Sequence, residues 1–176
     1  MVRVGKFLVY LLFFITMVLY FLPKENLYFL LEQELAKKEI FISNEEIKEK
    51  AFGLELQNAT ISYEGIEAAQ LKSLDINLFL LYNSLDLQEI ELSSLIANYW
   101  PQKIQECHLS YSILSPLQIE GVAQGVFGTI EAHYMIKEAT LTVILHPSKI
   151  MLKKYRSTLR YFKKLKNGEY SYEKSL

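Results

Sequence analysis

Residues 53–65, GLELQNATISYEG, decide how this chain is read. Leu54 and Leu56 alternate with Glu55 and Gln57, and a period of two is that of a half-buried β-strand. Past Asn58 the less polar positions, Ala59, Ile61 and Tyr63, fall on the opposite parity. Such a switch predicts a β-bulge, and bulges bend sheets. Glu64-Gly65 supplies a turn.

Toward the C-terminus the same rhythm continues. Strand-like runs occupy 66–71, 74–82, 85–92, 108–114, 117–122, 126–136 and 139–146, separated mostly by short turns containing Asn, Ser, Pro or Gly. This spacing predicts an antiparallel meander. A second parity switch lies between Leu87 and Ile90, so the sheet is expected to be curved. Residues 95–105, with Trp100 and Pro101, break the alternation and read as a loop or short helix. After Pro147, Ser148 is placed to cap a helix over about 148–166, in which Ile150, Leu152, Tyr155, Leu159 and Phe162 form an apolar stripe. Asn167-Gly168 stops it, and 169–176 reads as a last strand returning to the sheet.

Toward the N-terminus the pattern is helical. Leu27, Leu30, Leu31 and Leu35 recur at helical spacing after Pro23, which predicts a short amphipathic stalk. A brief strand over 39–43 follows. Ser43 and Glu46 then match a capping box, which predicts one or two helical turns ending near Lys50. Before Pro23, FLVYLLFFITMVLYFL (7–22) holds no charge and is apolar on every side. With Val4 and Gly5 extending it and Arg3 and Lys6 able to snorkel, it is long enough to span a bilayer. Its anchor residues are Phe7, Leu8, Leu11, Leu12, Phe13, Phe14, Ile15, Val18, Leu19, Phe21 and Leu22. A cleaved signal peptide is the competing reading, but Leu22-Pro23-Lys24-Glu25 offers no small-x-small cleavage site. Arg3 and Lys6 precede the run while Lys24 and Glu25 nearly cancel after it, so the N-terminus is expected in the cytoplasm and the body outside. The divisions are therefore an anchor (1–23), a stalk with a short strand and helix (24–52) and a curved antiparallel β domain (53–176).

Charge is unevenly spread. Residues 148–166 carry eight basic side chains and no acid, which leaves eleven basic against twenty acidic residues elsewhere. Lys153, Lys154, Arg156, Arg160, Lys163 and Lys164 are candidates for contact with an anionic surface, although burial of the helix's apolar stripe against the sheet is favoured. Nucleic acid is not an expected partner, because no accompanying motif is present and the topology puts the segment on the wrong side of the membrane. Cys107 is the only cysteine, so no internal disulfide forms. His108, His133 and His146 lack metal-ligand spacing. Cys107 and His108, as neighbours on a strand, point to opposite faces and cannot share a proton. Gly121, Gly125 and Gly128 read better as strand or bulge positions than as a phosphate loop. Asn58-Ala59-Thr60 matches a glycosylation sequon, a pattern that recurs by chance. No catalytic constellation, metal site or cofactor is expected. Large apolar residues on both parities, Ile76, Leu78 and Leu80 beside Phe79 and Leu81, suggest either a sheet buried on both faces or a face that meets lipid.

The order of these features resembles the AsmA-like envelope proteins, in particular the type II secretion system protein N branch. The stretches that carry the resemblance are FLVYLLFFITMVLYFLP, LYFLLEQELAKKEIFIS, AFGLELQNATISYEG with AAQLKSLDINL, and later GVAQGVFGTIEAHYMI, TLTVILHPS and LRYFKKLKNGEYSYE. The chain is short for that family. The resemblance implies a curved, partly open sheet on a bacterial inner-membrane anchor, with the domain in the periplasm. It implies a role in secretion, envelope assembly or lipid handling, with a lipid bilayer, machinery proteins and bound lipid as expected partners, and no catalysis.

Overall fold

The computed structural model describes residues 2–79 and 81–175. Helix α1 (Val2–Phe21) reaches about 30 Å at 1.5 Å per residue, and no residue of the span from Arg3 to Phe21 is buried. Pro23 closes it, and α2 (Lys24–Ala36) follows at once. The joint between the two helices is held by Lys24, only 4% exposed. Its ammonium donates to the carbonyls of Tyr20 and Leu22, both at 3.1 Å, where a cation satisfies the orphan acceptors of a helix C-terminus. The Lys24 amide in turn donates to Glu49 Oε1 at 2.9 Å, so a carboxylate caps α2.

The strands are β1 (Ile40–Ser43), β2 (Glu46–Lys50), β3 (Gly53–Gln57), β4 (Thr60–Tyr63), β5 (Ile66–Leu78), β6 (Tyr82–Leu92), β7 (Lys103–Ser112), β8 (Gln118–Gly125), β9 (Gly128–Met135) and β10 (Thr140–Pro147). Then come two short helices, α3 (Lys149–Lys154) and α4 (Arg156–Leu159), and finally β11 (Lys163–Lys164) and β12 (Tyr170–Ser175). All twelve strands form one antiparallel sheet in the order β1-β4-β5-β6-β7-β8-β9-β10-β12-β11, with β3 on the upper half of β5 and β2 outside it. Its two edges do not meet, so the curved sheet is open. The mainly β, antiparallel architecture expected from the alternation is the architecture found.

The parity switches line up into a crease. Asn58 has φ 57° and Glu89 has φ 49°, and both occupy the left-handed region. Lys72 lies between the paired sets of β5, and Gln105 lies where the β7–β8 register shifts. Asn58 donates to the Lys72 carbonyl, and Lys72 forms an ion pair with Glu89 across the line. On both sides of this crease the apolar residues point the same way: Ala59, Leu71 and Ile90 pack with Leu87 and Cys107 in one cluster.

Several expectations need correction. In the stalk, Leu27, Leu30 and Leu31 are exposed and α2 buries Tyr28 instead, and β7 starts at Lys103, inside the stretch expected to be a loop or short helix. Residues 46–50 form strand β2, not a helix: Asn44, at φ 64°, ends β1, and five residues are too few to sustain a helix when β3 offers a full ladder. Runs 66–71 and 74–82 are largely one strand, because β5 continues through the crease. The C-terminal helix begins at the Ser148 cap as expected but breaks at Tyr155 and ends by Leu159, and Lys163 and Lys164 lie in β11. Its buried residues are Met151, Tyr155 and Leu159, while Ile150 and Leu152 face solvent. These three pack on Phe127 and Leu145, with Trp100 tilted against Phe127 at 5.3 Å. Gly128 makes the tight β8–β9 turn possible: its φ is 113°, and a Cβ there would come within 2.1 Å of the His146 carbonyl. The last strand stops at Ser175, and Leu176 lies outside the described residues.

A candidate apolar-ligand face

Directly paired residues of an antiparallel sheet share a face, so the registers show which side chains stand together. One row runs Ile76, Leu85, Leu109, Gly121, Ala132, Val143 and Tyr172 across seven strands. The next row on the same face is Leu78, Asn83, Tyr111, Ile119, Tyr134 and Leu141. A third is Leu74, Leu87, Cys107, Ala123, Ile130, Leu145 and Tyr170. The face is apolar almost throughout. The Leu109 side chain fills the space over Gly121, and a cavity of about 370 Å³ opens on the face between β5 and β8, lined by Ile76, Leu78, Leu85, Leu109, Tyr111 and Ile119.

Two covers sit on the sheet. At β1 to β3, α2 buries Tyr28 against Leu54 and Leu56. At the other side, α3 and α4 bury Leu145 completely and close the end of the face near β10 and the β8–β9 turn. Between them Leu85, Leu109, Ile119, Tyr134 and Val143 are half-buried, and no helix packs over them among the described residues.

The sites expected from sequence divide accordingly. Ile76 and Leu78 belong to this face, whereas Phe79 lies on the turn at its end, stacked on Phe52 with centroids 5.6 Å apart. Leu81 is exposed on the same turn, and Leu80 lies outside the described residues. Of the anchor residues, Phe7, Leu8, Leu11, Leu12, Phe13, Phe14, Val18 and Phe21 are exposed, and Ile15, Leu19 and Leu22 are partly covered. Lys153, Lys154, Arg156, Arg160, Lys163 and Lys164 are all exposed. They lie at the end of the sheet opposite to the one where α1 joins, because β5 runs from Ile66 up to the Phe52 and Phe79 contact and β10 runs down to α3.

The opposite face is polar and holds the groups that sequence reasoning missed. His108 Nδ1 lies 2.5 Å from Asp86 Oδ1, and its Nε2 lies 3.0 Å from the Tyr82 hydroxyl. Ser84 donates to the second oxygen of Asp86 at 3.1 Å, so its hydroxyl is not delivered to the imidazole as a nucleophile needs. Only the β6–β7 register brings Asp86 and His108 together, and no local pattern carries that signal. Cys107 stands on the apolar side, where burial pushes its thiol above the ordinary range and away from reactivity. His146 sits between Glu131 and Glu169 at 3.5 and 3.3 Å. No group of three or more potential ligands is arranged to hold a metal ion among the described residues.

The chain matches no family model, no curated protein and no solved structure. Its helix α1 is long and apolar enough to cross a membrane, which is compatible with a single-pass membrane protein.

Proposed function

We propose that this is a non-enzymatic protein of the bacterial inner membrane whose periplasmic sheet holds the acyl chains of lipid, as an accessory to envelope assembly or secretion. The observation that supports this reading is the half-buried apolar face between α2 and α3, whose surface is costly to leave in water and whose cavity between β5 and β8 suits a flexible chain. The resemblance to AsmA-like proteins of the type II secretion system protein N branch agrees with it. Native mass spectrometry of the full chain released from mild detergent is the test. Phospholipid is expected to remain bound, and Ile119→Trp, which fills the cavity with a larger side chain, is expected to reduce the bound fraction several-fold without lowering the melting temperature of the sheet. Equal lipid occupancy in both proteins, or none in either, overturns the reading.

A second reading, a protein-binding accessory of secretion or envelope machinery, is favoured by the six exposed cations at the end away from α1. It requires that purification at native expression recover an envelope component, and that reversing Lys153, Lys154 and Arg156 to Glu release it.

A further inference from the structure

Three turns lie at the end of the sheet from which α1 departs: one between β5 and β6 that includes Phe79 and Leu81, 113–117 between β7 and β8, and 136–139 between β9 and β10. Each presents large apolar side chains to the outside. Phe79, Leu81, Ile113, Leu117 and Ile136 are exposed, and Leu114, at 84%, is the most exposed large apolar residue among those described. An aromatic chain ties this rim to the last turn of the helix: Tyr20 meets Phe52 edge-on at 6.1 Å, and Phe52 stacks on Phe79. Lys24 fastens the same joint by capping α1 while the Lys24 amide bonds Glu49. The opposite end exposes Tyr63, Ile66, Leu95, Tyr99, Ile150 and Tyr161 as well, so what singles out the rim is that α1 leaves from it.

We propose that this rim dips into the headgroup and acyl boundary of the same bilayer that α1 spans. The contact stands the strands upright on the membrane and sets the uncovered end of the apolar face, at Leu78, Tyr111, Ile119 and Leu141, level with the lipid chains. Near β10 and the β8–β9 turn the face is closed at its far end by α3 and α4, so along these strands a chain enters from the membrane side. Exposed apolar turns beside a membrane helix gain free energy by leaving water, and aromatic residues such as Tyr20 suit the boundary. The proposal rests on α1 being inserted, and on no particular side of the membrane.

The test uses the full chain in neutral phosphatidylcholine vesicles, where the basic cluster finds no anionic lipid. In a Cys107→Ala background, single cysteines at Leu114, Ile136, Leu95 and Phe13 carry an environment-sensitive fluorophore, and lipids bearing a quencher near the headgroup or deep in the chain are added. Labels at Leu114→Cys and Ile136→Cys are expected to shift to shorter wavelength and to be quenched from the shallow position. The label at Leu95→Cys, an equally open site at the far end, is expected to stay unquenched, and Phe13→Cys to be quenched from the deep position. Quenching at Phe13 with the rim as bright as Leu95 overturns the rim contact and leaves the anchor standing. No quenching at Phe13 overturns the membrane reading itself. Quenching at Leu95 equal to that at Leu114 means the sheet lies flat, which also overturns the proposal.

Discussion

Tyr28 shows how much one side chain carries here. It is 4% exposed, wedged between α2 and the Leu54 and Leu56 pair, and its hydroxyl donates to Glu45 Oε1 at 3.1 Å. Burial first, and then the Glu45 carboxylate, push the phenol well above its ordinary value of 10.0. A raised pKa favours the protonated form in the folded state, so this stabilisation is whole below pH 10 and drains away as pH rises above it. Removing the hydroxyl costs about 1 kcal/mol for the lost hydrogen bond but abolishes that dependence. Tyr28→Phe is therefore expected to melt a few degrees below the parent at neutral pH and to converge on it at about pH 11. Lys50, whose amine is held up by Asp75 and Glu55, weakens in the same alkaline window, but it does so in both proteins and cancels. Parallel melting curves across that range would place Tyr28 in water. At this scale the sequence was least informative, because Tyr28 with Glu45, and Asp86 with His108, are made neighbours only by the fold.

At the scale of elements, the joint at Lys24 sets how α1 stands on the sheet. Replacing Lys24 with Met removes the cation from the carbonyls of Tyr20 and Leu22 and leaves Glu49 without its ion-pair partner. Glu49 is 41% exposed and screened by water, so the ion pair itself contributes under about 1 kcal/mol; the larger loss is the cation at the two helix-end carbonyls, and it falls on the joint rather than on the strands. Spin labels at Phe13 and Leu95 are expected to give one narrow distance distribution in the parent and a broad one in Lys24→Met, with the melting of the sheet little changed. A broad distribution in the parent would show that the two parts are not fixed to each other. Most elements were legible beforehand, since apolar parity records which side of a strand faces the core, and it flagged the crease at Asn58 and between Leu87 and Ile90. Glu46–Lys50 was misread because its local capping signal is outweighed by pairing with β3. The helix after Ser148 is shorter than its sequence suggests, because Lys163 and Lys164 carry no period that separates a helix from an edge strand.

For the whole molecule, the sequence pointed to an anchor and a curved open sheet, but not to which end of that sheet lies beside α1. A reporter active only in the periplasm, fused after Leu176, is expected to be active, and a cytoplasm-only reporter at the same point to be silent. This follows from Arg3 and Lys6 preceding the span, with Lys24 and Glu25 nearly cancelling after it. The reverse pattern would leave the rim contact possible and remove the periplasmic reading. Copies inserted as proposed would diffuse in two dimensions, all standing with their strands in one direction, and that is the arrangement in which separate sheets would most readily join side to side. The open edges oppose it: one ends in Lys163-Lys164, and the other in the short IFIS of β1 and the charged EIKEK of β2. Short, charged margins are poor templates for another strand, so neighbouring molecules crowded in the same membrane stay separate instead of fusing into a continuous β ribbon.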